Sequence, residues 1–432
     1  MVPLPRRISG PVSVHAFDLP TAGGGAPNRL YVFGDEHFSY DHQCAACDPP
    51  GCASIAAFIE RLVDAARAGG VKSLDVYMEI PYVGRPNRTQ AVRHWDDRLR
   101  ANAAPGRKLK DLVKRMVGES PHYIGIFSVL YRKFHSELYP AEGRHARPAA
   151  GAPPVRFHYC DARAEPNVQA MFRGEGDRAA GLWLLATRAG TPEGLRDLLH
   201  AFLFSRDFPA DAARAIGADS SSPAADALRT RIVPAALSGT THKVAKQFLS
   251  LPPGPARDAA ERYLKERVEH VVGILRDAGL EVASGLLRRR LQAAAGSGAN
   301  PMDAPLADFL GTLRNSTLLA LAETVGVAMY LAVQLVIMDA YLLCRMLRFS
   351  TQPGGVSVVY AGDSHSMYYV DFLRRYAGLL PAVCRPRVRA GMARSKAEPT
   401  HERCVQLDAC KNASKASRMR ASKVQSQKVQ MQ

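Results

Sequence analysis

Two stretches far apart in the chain carry the same text: Leu30-Tyr31-Val32-Phe33-Gly34-Asp35-Glu36-His37 and Val356-Ser357-Val358-Val359-Tyr360-Ala361-Gly362-Asp363-Ser364-His365. Each is a run of β-branched and aromatic residues that ends in Gly-Asp-x-His. Such a run reads as a strand. Closing it on glycine lets the backbone turn sharply and leaves the next side chains at the carboxyl edge of a sheet, where open α/β folds bind ligands. With 34 Gly and 13 His in 432 residues, a Gly-x-x-His spacing arises about once by chance. Gly239-Thr240-Thr241-His242 is that instance, since it follows no strand and reads as the start of a helix. Requiring Asp after the Gly lowers the expectation to roughly 0.06 per chain. Two occurrences, both behind strands, therefore point to one α/β sheet that gathers two imidazoles and two carboxylates at one edge.

The text between them supports that architecture. Pro11 to Phe17 alternates as a strand does, and a Gly23-Gly24-Gly25 loop joins it to the Leu30 strand as a hairpin. Ala53 to Ala68 places Ile55, Phe58, Ile59, Leu62 and Val63 at helical spacing and stops at Gly69-Gly70. Ser73 to Ile80 is again a strand, closed by Pro81. Strand, helix and strand make a βαβ unit with parallel strands and a right-handed crossover, which puts Glu79 at the same edge as His37. From Asn87 to Gly151 the chain is polar and basic, with helical candidates at Arg107 to Val117 and Tyr123 to Tyr139. Val155 to Asp161 is another strand, and its end offers Asp161 and Arg163 to the cleft or to a structural ion pair.

Residues 191–349 read as a large helical insertion, with amphipathic segments at Leu195 to Phe204, Ala224 to Ile232, Lys243 to Leu251, Ala256 to Ala278 and Val282 to Ala295. The stretch from Ser316 to Met346 is apolar all round and is expected to pack beneath the sheet. Glu323, Gln334 and Asp339 interrupt it, so it reads as a buried helix and not as a membrane span. Asp339 reads as a buried carboxylate satisfied by Arg345 or Arg348. The helix Tyr369 to Ala377 follows the second motif. The expected organisation is an α/β half over 1–190, the insertion over 191–349, a strand and helix over 350–384 that complete a mostly parallel central sheet flanked by helices, and a tail over 385–432.

Charge and cysteine content narrow the function classes. The formal charge is +17, but the tail from Arg385 onward holds twelve Lys or Arg against three acidic residues, a net of +9. A tail so basic and so poor in apolar residues reads as disordered, with weak nucleic-acid contact as its functional alternative. Met1 to Arg7 holds no apolar run of signal-peptide length, so a cytoplasmic, intracellular setting is expected. There a disulfide scaffold is not expected of the eight Cys. Cys44, Cys47 and Cys52 read as an ordinary loop cluster, with structural zinc as the sharper alternative. No Walker loop, Gly-x-Gly-x-x-Gly or Gly-x-Ser-x-Gly occurs where a nucleotide site or a serine nucleophile would need it.

His37, Glu79 and His365 together form a two-imidazole, one-carboxylate set that suits Zn, Mn, Fe or Co with positions left for water. Asp35 and Asp363 then serve as further ligands or as acceptors that orient the imidazoles. A metal-free variant uses the same residues, with a His as base toward water and a carboxylate fixing its tautomer. The plain alternative is that these Asp and His residues cap the following helices.

Gly34-x-x-His37 behind a strand, Glu79 at the end of the next strand and Gly362-x-x-His365 late in the chain resemble the EreA/ChaN-like superfamily. That group holds the erythromycin esterases, the haem-binding ChaN proteins and the TraB and Tiki proteins. The fuller text, with Gly-Asp-x-His at both ends and Tyr77-Met78-Glu79-Ile80 between, also looks like uncharacterised viral proteins of large DNA viruses. The resemblance spans residues 28–82 and 355–378, about a fifth of the chain. It implies an α/β fold with the His and Glu residues in one cleft. From the Tiki-like members it implies metal-dependent peptide hydrolysis, from the esterases metal-free lactone opening, and from ChaN haem binding. The Asp after each Gly and the large insertion depart from the better-known members. The expectation carried forward is a metal-dependent hydrolase of a peptide, ester or similar bond in a small molecule or peptide. Its alternatives are a non-catalytic haem- or metal-binding module of the same fold and a nucleic-acid-associated protein acting through its tail.

Overall fold

The computed structural model describes residues 7–21, 25–35, 51–81, 130, 134, 155–161, 176–217, 241–295, 317–349, 353–379, 381–384 and 404–406. In chain order the elements begin with β1 (Arg7–Ser9), β2 (Ser13–Leu19), β3 (Asn28–Asp35), β4 (Cys52–Ser54), α1 (Ile55–Arg67), β5 (Leu74–Pro81) and β6 (Val155–Asp161). A helical series follows: α2 (Gly176–Ala186), α3 (Pro192–Phe204), α4 (Phe208–Ile216), α5 (Thr241–Leu249), α6 (Pro255–Asp277), α7 (Leu280–Ala295) and α8 (Thr317–Phe349). The chain closes with β7 (Val356–Gly362), α9 (Asp363–Arg375), β8 (Ala382–Cys384) and β9 (Cys404–Gln406). It forms two compact units, one of Met1–Ile80, Gly84–Cys160 and Phe349–Gln432, the other of Pro81–Val83 and Asp161–Arg348. The first described helix of the second unit, α2, begins at Gly176.

The first unit is α/β, with a mostly parallel sheet flanked by helices. Its six-stranded sheet runs β6-β5-β7-β3-β2-β8. The expected hairpin is there: β2 and β3 pair antiparallel from Ser13↔Gly34 to Leu19↔Asn28. The βαβ unit departs from expectation in one respect. β3 and β5 are not neighbours, because β7 from the far end of the chain lies between them, parallel to both. The register sets Asp35 beside Gly362, so the two motif strands end side by side.

Alternation of side chains assigns the faces. Tyr31, Phe33, Val76, Met78, Val358 and Tyr360 share a core with Phe58, Ile59 and Leu62 of α1, and Phe58 meets Tyr31 and Phe33 edge-on. Helix α1 forms where it does because Ser54 caps it, accepting the Ala57 N–H at 3.2 Å. Residues one step out of phase, Gly34 among them, point to the opposite face. There α9 packs against β3 and β7, with Tyr369, Val370, Phe372 and Leu373 buried.

A small second sheet sets β1 between β4, parallel, and β9, antiparallel. This corrects the reading of 385–432 as disordered at three residues: Cys404, Val405 and Gln406 pair with Ser9, Ile8 and Arg7. Pairing with a strand edge gives even a short polar segment an ordered place.

In the helical unit, α8 meets other helices of that unit. At the α2 crossing a Cβ on Gly181 would strike the Gly326 carbonyl. Asp339 lies 3.9 Å from Arg267 of α6. Arg345 donates to the Tyr341 hydroxyl, and Arg348 reaches Gln247 Oε1 and Ser250 Oγ at 3.4 Å. Residues 320–348 are long and apolar enough to cross a membrane, yet 75% of their most apolar window is buried within the protein, as in a core helix.

The helical segments expected at Leu195, Lys243, Ala256 and Val282 are α3, α5, α6 and α7. His242 lies in the first turn of α5, in line with its reading as a helix start. The candidates at 107–117, 123–139 and 224–232 lie outside the described residues, apart from Leu130 and Phe134.

Candidate functional site at the sheet edge

Three parallel strands deliver the site. β5 ends through Glu79, β7 ends at Gly362 between its neighbours, and β3 ends at Asp35. The second motif does not pass through a loop. Helix α9 starts at Asp363, six residues earlier than expected, because Gly362 serves as its N-cap. His365 therefore stands in the first turn of a helix, which holds the imidazole on a rigid element.

Glu79 and His365 meet. Glu79 Oε2 accepts the Gly362 N–H at 2.7 Å, and Oε1 faces His365 Nε2 at 3.7 Å. Glu79 is 8% exposed and His365 6% exposed. A carboxylate bound to the helix-start amide also sits where the helix dipole favours negative charge. The expected convergence of Glu79 with the second motif is thus present. Asp35, 1% exposed, ends the adjacent strand.

Asp363 is arranged differently. Its Oδ1 accepts the Ser13 hydroxyl, and the pair occupies the space where a Cβ on Gly34 would lie. Ser366 Oγ donates to the Phe33 carbonyl at 2.8 Å, so the first turn of α9 is fastened to β2 and β3 on either side of His365. His37 and Arg163 lie outside the described residues. Asp161 is the last residue of β6.

A second polar group was missed in the sequence. Asp75, fully buried, accepts Arg156 Nε at 2.6 Å and Nη2 at 2.7 Å, and lies 2.8 Å from His158 Nε2. His158 stacks on Tyr77 with ring centroids 4.5 Å apart. Burial pushes the Asp75 carboxyl up, but hydrogen bonds and charge from Arg156 and His158 outweigh that and hold it below the usual carboxylate range. The signal was available: Asp75, Tyr77 and Glu79 alternate on β5, as Arg156 and His158 do on β6, which marks a polar stripe on one sheet face.

Metal donors are limited. Among the described residues, no group of three or more His, Cys, Asp or Glu is placed to hold an ion. Cys52 is disulfide-bonded, which removes it from any zinc-binding thiolate set. Cys44 and Cys47 lie outside the described residues. The helical unit has an open groove of about 410 Å³ lined by Arg188, Asp197, His200 and Arg214. Arg188 is already paired with Asp197, and Arg214 with Asp211.

Comparison with protein families, with curated proteins and with solved structures finds no match.

Proposed function

We propose that the chain is a metal-dependent hydrolase, acting on a peptide, ester or similar bond, with its centre at Glu79 and His365 and with His37 as the third ligand. The observation that carries this reading is the pairing of a buried carboxylate and a buried imidazole, 3.7 Å apart, at the carboxyl edge of three parallel strands. It rests also on the resemblance to the EreA/ChaN-like pattern.

The donor types fit a divalent ion. A carboxylate oxygen and an imidazole nitrogen 3.7 Å apart are beyond hydrogen-bond length. Two ligands on one ion with bonds of about 2.0–2.2 Å have a comparable separation. The described residues offer this pair, and His37 follows two residues after Asp35 in the sequence. When bound, such an ion lowers the pKa of water to near neutrality. The chain's own part is to hold Glu79 on the Gly362 amide, to present Nε2 of His365 from a rigid helical turn, and to keep the site largely shielded from bulk water. In the metal-free variant of the same site, His365 instead takes a proton from water while Glu79 stabilises the imidazolium.

The test is metal analysis of the purified full chain together with hydrolysis of ester, amide and phosphate panels, for wild type and for His37→Ala, Glu79→Gln and His365→Ala. About one equivalent of metal is expected in wild type, with metal and turnover both lost in the folded variants. Equal metal content in all four proteins would overturn the metal-dependent reading. Metal retained with no turnover on any panel would leave a binding module in its place.

A further inference from the structure

The two Gly-Asp-x-His motifs are not equivalent in space. Pairing is staggered by one residue, Gly34 beside Ala361 and Asp35 beside Gly362. The first motif's glycine is thereby brought under the start of the second motif's helix. A Cβ on Gly34 would meet Asp363 Oδ1 and Ser13 Oγ, and would lie 3.0 Å from Asp363 Cα. The hydroxyl of Ser13, paired with Gly34 across the hairpin, donates to Asp363 Oδ1 in that same space.

From this juxtaposition we infer that Asp363 is a positioning residue, not a ligand: with Ser13 it latches the first turn of α9 over Gly34 and so sets the Gly362 amide and His365 against Glu79. The inference rests on the reading of Glu79 and His365 as the working pair. Three bonds fix that turn from three strands: Ser13 of β2 to Asp363, the Phe33 carbonyl of β3 to Ser366, and Glu79 of β5 to Gly362 N–H. Asp363 at the first helical position also gains from the helix dipole, so one carboxylate serves the helix start and the latch together. Gly34 is thus glycine because Asp363 lies over it, and Asp363 supplies the oxygen to which Ser13 donates.

The experiment follows the Gly362 amide in the deuterated, 15N-labelled full chain. In wild type this proton should resonate far downfield, as an N–H donating to a carboxylate, and Glu79→Gln should move it upfield. Ser13→Ala and Asp363→Ala should move the same signal upfield and raise its hydrogen-exchange rate about tenfold, the loss expected for a hydrogen bond to a charged group. Asp363→Asn keeps the accepting Oδ1 and should hold the wild-type position. A Gly362 signal unmoved in folded Ser13→Ala and Asp363→Ala overturns the latch. So does an Asp363→Asn protein that shifts as far as Asp363→Ala, since charge alone would then be at work. If Asp363→Ala fails to fold, Ser13→Ala, which removes a single oxygen, carries the test. Neither bound metal nor turnover enters this measurement, so the latch can fail while the proposed activity stands, and the reverse.

Discussion

Gly34 has no room for a side chain, and the obstacle is a part-buried, hydrogen-bonded pair of side chains with the Asp363 Cα behind it. Gly34→Ala should destabilise the protein by about 2–3 kcal/mol, the usual cost of overpacking, as read by urea denaturation. Asp75 makes a pH prediction whose sign follows from its depressed folded pKa. Between the folded and unfolded values the unfolded chain binds more protons, so the stabilisation from this carboxylate is whole above about pH 4 and lost as pH falls through the folded value. Denaturation midpoints measured from pH 7 downward should fall for wild type and fall less steeply for Asp75→Asn. Cys344 is fully buried, and burial pushes its thiol up to about 12. Iodoacetamide at pH 8 should leave it unmodified in the native protein and alkylate it in urea, as mass spectrometry of the peptides would show. At this scale the sequence disclosed Glu79 and His365 through type and spacing. It did not disclose Ser13 or Arg156, because each acquires its role from a partner on another strand.

Helix α8 is apolar along most of its length, and within its unit it packs against other helices. The crossing at Gly181 and Gly326 depends on two backbones in contact. Gly181→Ala forces a Cβ onto the Gly326 carbonyl and should cost about 2–3 kcal/mol, whereas Gly326→Ala, whose nearest contacts are 3.0–3.2 Å, should cost less, as scanning calorimetry of the two variants would show. Helices α1, α3, α6 and α7 were legible from apolar periodicity, since a 3.6-residue repeat kept over several turns buries one face of a helix and would scatter the same residues over both faces of a strand. The start of α9 was not legible in this way. Gly-Asp-Ser-His has the composition of a loop, and only the N-cap role of Gly362 together with the anchoring of Asp363 and Ser366 turns it into a first helical turn.

For the molecule as a whole, the sheet depends on a strand supplied after the helical unit. β7 is central, with β5 on one side and β3 on the other. A chain ending at Phe349 lacks that strand and should not form the sheet unit, so amides of β3 and β5 should exchange without protection. The composition, the two strand-Gly-Asp-x-His texts and the periodic helices by themselves determined an α/β protein with a long helical block, because local propensity and pattern suffice for elements and class. Only the tertiary structure decided that β7 inserts between β3 and β5, that Glu79 binds the Gly362 amide and faces His365, and that Asp363 turns to Ser13. The physical reason is that strand order and side-chain pairing depend on closures across some three hundred residues, and the free energy of such contacts has no trace in any local window.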